Sequence, residues 1–168
     1  AEQTSGTIEL SVKQALNQMI IISHNYAALL LASEIGNSNI SKFLKDYGLF
    51  ESSLSKSSDG TPETTAYDLA LFFEKLYKRE IVSSDASQRM IDLLSTQKLN
   101  DRIPKYLPKG TKVAHKTGEI EFFKHDAGIV FAEKGDYIIV VLSESNFPAG
   151  AAERIANLSK NVYDYFSR

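Results

Sequence analysis

The chain has 168 residues, 43% of them apolar and 24% charged, with a formal net charge of −2. That is enough for one domain with a genuine core, or for one and a half small ones, and so balanced a charge supplies no field for nucleic acid or an anionic membrane. The absence of cysteine excludes disulfides, zinc–thiolate centres and thiol nucleophiles but leaves the compartment open; no apolar run reaches the roughly 18 residues of a membrane span. The opening Ala-Glu-Gln-Thr-Ser-Gly has neither the basic start nor the apolar middle of a signal peptide. An export signal, if the protein has one, is expected upstream of it.

Residues 11–22 predict a helix with Ser11 as N-cap and an apolar stripe of Ala15, Leu16, Met19 and Ile20. Residues 25–35 predict a second helix, apolar almost all round and so expected in the middle of a domain, with Gly36 ending it. A third covers about 38–47 and closes at Gly48. The serine-rich stretch 51–63, with Asp59-Gly60 and Pro62, reads as a loop. Two amphipathic helices follow. The first, at 64–78, turns Leu69, Leu71, Phe72, Leu76 and Tyr77 inward; the second, at 84–97, is built on Met90, Ile91, Leu93 and Leu94. Residues 101–110, with Pro104 and Pro108, are irregular.

The character then changes to strands at 111–117, 125–132 and 137–144. The last is apolar throughout, as a central, doubly covered strand is. The connections 118–124 and 133–136 suit antiparallel hairpins. A helix over 149–166, with Ile155, Leu158, Val162 and Phe166 inward, closes the chain. This order predicts an α+β fold: a helical cluster, an antiparallel three-stranded meander and a C-terminal helix. A mainly helical part (1–110) and a sheet-plus-helix part (111–168) together make one incomplete catalytic domain, because so thin a sheet has edges that need partners.

Two polar motifs stand out. Lys116-Thr117-Gly118 ends a predicted strand and opens a hairpin. There a lysine can hold charge at a cleft edge, a threonine hydroxyl can bind a carboxylate, and a glycine lets a ligand backbone approach. By itself the tripeptide reads first as a hairpin with a convenient glycine. Ser23-His24-Asn25 lies between two apolar helices; it can face a cleft, or Ser23 or Asn25 can simply cap the second helix.

Taken together, a Ser-x-Asn after one helix, a run of helices, Lys-Thr-Gly opening a meander and a long final helix resemble the class A β-lactamases and related penicillin-binding proteins. The likeness runs through residues 7–36, 64–79 and, most closely, 100–131, including Asn100-Asp101-Arg102-Ile103-Pro104 and His125-Asp126-Ala127-Gly128. It implies that Ser23 relays a proton to the leaving group, that Asn25 binds the substrate's side-chain amide, that Lys116 supports proton transfer and that Thr117 holds the substrate carboxylate beside Gly118. The Glu119 backbone N–H would give one oxyanion-hole donor. Arg102 either helps bind the carboxylate or is a solvated loop arginine. The implied ligand is a β-lactam or a D-alanyl-D-alanine peptide, with no cofactor, metal or nucleic acid, and the implied place is extracytoplasmic, in the periplasm or at the cell surface.

Three departures qualify the resemblance. The family's nucleophile sits in a Ser-x-x-Lys upstream of the Ser-x-Asn triplet, whereas Ser53–Lys56 and Ser95–Lys98 both follow Ser23. Neither is expected to be the nucleophile, so the chain is expected to be inactive without an N-terminal segment of the same protein. Glu51-Ser52-Ser53-Leu54-Ser55 imitates only half of the deacylating Glu-x-x-Leu-Asn pattern, which favours a slow penicillin binder over a fast β-lactamase. His24 replaces the family's usual aspartate and is expected to make a local hydrogen bond; a metal site on His115 and His125 is not expected. The alternative function is a non-catalytic module that binds peptidoglycan or a protein.

Overall fold

A computed structural model describes residues 9–54 and 62–168; Lys56, Asp59 and Gly60 lie outside the described residues. Three helices come first: α1 (Val12–Ile21), α2 (Asn25–Ile35) and α3 (Asn37–Asp46). Ser11 caps α1 in a reciprocal box, its side chain accepting from the Gln14 N–H while Gln14 accepts from the Ser11 N–H. The cap of α2 is His24 rather than Ser23 or Asn25. Its Nδ1 accepts from the Ala27 N–H at 3.3 Å, while Ser23 takes a left-handed backbone (φ 57°) that turns the chain between the helices.

Two helices, α4 (Ala66–Tyr77) and α5 (Ser84–Leu94), lie against one face of the sheet. Thr65 and Ser83 cap them. The core between them holds Phe73, Leu76, Ile81, Ile91 and Leu94 with Ala114, Ala127 and Ile129 from the strands. Tyr77, predicted inward, is exposed and donates from its hydroxyl to Asp136. At the other end of the helix Asp68 is buried, accepting from the Glu51 N–H and the Ser52 hydroxyl and so tying down the start of the serine-rich loop.

The sheet has the order β1-β2-β3, antiparallel throughout: β1 (Lys112–Ile120), β2 (Phe123–Phe131) and β3 (Tyr137–Glu144). The first hairpin is tighter than predicted, since only Glu121 and Phe122 separate its strands. Lys116-Thr117-Gly118 therefore lies inside β1, paired with Ala127, Asp126 and His125, instead of at a strand end. Pairing places β2 in the centre and leaves β3 half-buried at an edge, although β3 is the most apolar. The second face carries Ile103, Val113, Val130 and Ile139 under α6 (Pro148–Phe166). That helix buries Ala151, Ala152, Ile155, Ala156 and Ser159, while Leu158 and Phe166 face outward. Small residues around Ile155 let α6 lie close to the sheet.

The second helix does not sit in the middle of this structure. Only Ala27 and Leu31 are buried; Tyr26, Leu29 and Leu30 are exposed.

Candidate active site

The turn after α1 brings Ser23 to β1, 93 residues away in sequence, where Lys116 Nζ donates to Ser23 Oγ at 2.5 Å and to the Thr117 carbonyl at 2.6 Å. Burial strips water from the Lys116 ammonium and pushes its pKa down to about 8; Asp126 offsets part of this and Arg102 adds to it. Near neutral pH the lysine is therefore close to giving up its proton, and the contact with Ser23 is a path along which a proton can pass.

Alternation along β1 sends His115, Thr117 and Glu119 to one face and Lys116 and Gly118 to the other. Thr117 is buried, and its Oγ1 has no hydrogen-bond partner among the described residues. Arg102 is buried too. Its Nη2 donates to Glu119 Oε2 at 2.5 Å, while Nε and Nη1 find no hydrogen-bond acceptor among the described residues, although Asp101 Oδ1 stands 3.8 Å from Nε. Buried polar groups are normally satisfied, so an orphan hydroxyl and an orphan guanidinium edge are what a site for an anionic ligand leaves behind. Arg102 is thus not a solvated loop arginine. Asn25 opens α2 on the exposed side and does not line the cavity below Lys116.

Sequence reasoning passed over a buried pair beneath this site. His115 Nδ1 lies 2.8 Å from Asp126 Oδ1 and Nε2 lies 3.0 Å from Asn100 Oδ1; Asp126 Oδ2 accepts from the Ile103 N–H at 3.0 Å. The pair fastens the loop that carries Arg102 to the hairpin that carries Thr117. A histidine and an aspartate with the same inward face on paired strands was the available signal. His125 projects to the opposite face from His115, since it pairs with Gly118, and no group among the described residues could hold a metal ion. Ser95, the later serine of the two Ser-x-x-Lys matches, closes α5 by donating to the Ile91 carbonyl at 2.7 Å; it does not open a helix as the family's nucleophile does. Glu51 is exposed and away from the cavity.

Below Lys116, between α1, α4, α5 and the sheet, is an apolar cavity of about 490 Å³, walled by Met19, Leu69, Phe73, Met90 and Leu94. Its roof is Lys116, Thr117 and Gly118, and Asp126 is the one carboxylate lining it among the described residues.

The sequence model of the beta-lactamase enzyme family matches residues 2–166, and the chain belongs to that family. Among solved structures, PBP-A is 28% identical, with a TM-score of 0.85 over 94% of this chain and 62% of that one. A variant of PBP-A, solved as its acyl-enzyme complex with penicillin G, is 27% identical over 98% of this chain and 65% of that one, with a TM-score of 0.87. A β-lactamase from Sphaerobacter thermophilus shares the fold at 23% identity, with a TM-score of 0.88 over 98% of this chain and 66% of that one. The chain therefore spans a little under two thirds of these relatives' length. No curated protein sequence matches it.

Proposed function

We propose that this chain is the carboxylate-recognising and proton-relaying part of a serine hydrolase that β-lactams acylate and whose natural substrates are D-alanyl-D-alanine peptides of peptidoglycan. The observation that carries the reading is the Ser23–Lys116 contact beside the orphan polar edges of Thr117 and Arg102. Thr117 and Arg102 bind the substrate carboxylate, with Gly118 leaving room along the strand. Lys116 and Ser23 pass a proton to the leaving nitrogen, the Glu119 backbone N–H faces the developing oxyanion, and Asn25 receives the acyl side chain. Such a substrate places the protein outside the cytoplasm.

The nucleophile comes from a segment not among these residues. The cavity supports this. Its lining is almost wholly apolar, and apolar surface left open to water forgoes the stabilisation that burial gives. An apolar helix that fills it would stand directly under Lys116, where a nucleophile is needed. Glu51, the half-match to a deacylating glutamate, is exposed and does not line the cavity, which favours a long-lived acyl-enzyme.

Labelling with a fluorescent penicillin tests this, on the chain alone and on the protein with its upstream-encoded segment restored. A persistent adduct on the restored protein and none on the chain alone is expected. Rapid loss of the adduct would turn the reading to a β-lactamase. Labelling of the chain alone would place the nucleophile within it, and no labelling of either removes the proposal.

A further inference from the structure

Arg102 and Glu119 form a lopsided pair. The guanidinium side is 1% exposed and the carboxylate side 55%, so the cation is fixed in the protein while its partner reaches in from solvent. Among the described residues only Nη2 of the guanidinium, a group with five donors, makes a hydrogen bond, and it makes it to Glu119 Oε2. Glu119 also has a second cation: Oε1 contacts Lys124 Nζ, which stands opposite it in the hairpin register and is 11% exposed. Glu119 lies two residues along the same face of β1 from Thr117 and its unpartnered hydroxyl. Its carboxylate thus sits where an anionic ligand reaching Thr117 would meet Arg102.

We propose that the Glu119 side chain is an internal occupant of the carboxylate site, holding Arg102 until a ligand carboxylate displaces it onto Lys124. This rests on the reading of Arg102 and Thr117 as the carboxylate site. The exchange leaves no charge unpaired. The ligand carboxylate replaces one oxygen of Glu119 at Arg102, and Glu119 stays anchored through the other. A ligand with a neutral end gains nothing at Arg102, and the occupant stays in place. Glu119 thereby lowers affinity for all carboxylates and admits those whose other contacts make up the difference. If the pair were only a staple between the 95–111 loop and β1, removing the carboxylate would loosen the fold and gain no affinity.

The experiment follows amide resonances of Thr117 and Gly118 in the full-length protein during titration with N-acetyl-D-alanine and with its neutral amide. In Glu119→Gln the carboxylate is expected to bind about threefold or more tightly, and the neutral amide as before. Lys124→Gln leaves Glu119 with Arg102 alone and is expected to weaken carboxylate binding, but to do little in the Glu119→Gln background. Glu121→Gln removes a neighbouring exposed charge and is expected to change nothing. Equal carboxylate affinity in wild type and Glu119→Gln overturns the proposal while the site reading stands. So does a gain in Glu121→Gln as large as in Glu119→Gln, or a loss from Lys124→Gln that is the same in both backgrounds. If the carboxylate shifts neither resonance in any variant, the site reading fails as well.

Discussion

Lys116 contributes to stability in a pH-dependent way whose sign follows from its burial. The folded chain holds its pKa at about 8, against an ordinary 10.5. Between those values the unfolded chain binds a proton that the folded chain does not, so this residue's contribution to stability rises with pH across that window and is flat below it. Lys116→Met is expected to remove that slope, seen by comparing urea midpoints of wild type and variant at pH 7 and pH 10. An unchanged slope would mean the lysine is not desolvated in solution. The His115–Asp126 pair sits deeper, at 1% and 0% exposure. Asp126→Ala leaves a histidine nitrogen and the Ile103 N–H buried without their acceptor, and a loss of roughly 3–5 kcal/mol in urea unfolding is expected. Asp92→Ala, at an exposed ion pair with Lys112, is expected to cost less than about 1 kcal/mol.

The first hairpin is the element on which the site depends. Its tightness comes partly from Gly128, where a Cβ would stand 2.4 Å from the Ala114 carbonyl and 2.6 Å from His115 Cβ. Gly128→Ala must push β1 away from β2, displacing His115 and with it Asn100 and the loop that carries Arg102. A cost of about 1–3 kcal/mol is expected, with shifted amide resonances along 113–117. Gly118→Ala meets only the His125 side chain, at 3.3 Å from Cβ and 3.4 Å from Cδ2, which a small movement relieves, so its urea midpoint is expected near that of wild type. The irregular 95–111 loop matters as much as the strands. The Gln97 side chain donates to the Ile20 carbonyl at the end of α1, the Ile103 N–H donates to Asp126, and the Ile103 carbonyl accepts from Ser159 on α6. One loop thus holds the first helix, the hairpin and the last helix in a single arrangement.

At the scale of the whole molecule the open features lie together. The cavity below Lys116 is walled in part by Leu16, Met19 and Ile20 of α1, and α1 packs on α2, whose Tyr26, Leu29 and Leu30 are exposed. The chain alone is expected to bind an apolar dye such as anilinonaphthalene sulfonate and, on the proposed function, to lose that binding when a segment that completes the site is supplied. Dye binding that persists in the restored protein would show that the segment does not fill the cavity.

Much of this was legible in the residues. Ser11, Gly36 and Gly48 bound their helices because caps and positive-φ turns are chosen over a few residues. The strands, their order and the two motifs followed from short-range patterns and the family likeness. What tertiary structure decided lies in pairs far apart in sequence. The apolar run of β3 became an edge strand because β2 lies between it and β1, and the α2 stripe found too few neighbours to cover it. Arg102 met Glu119 and His115 met Asp126 only because the loop and the hairpin face each other. Local windows encode periodicity and caps; which buried charge meets which, and which apolar face stays open, depends on how the elements are assembled in space.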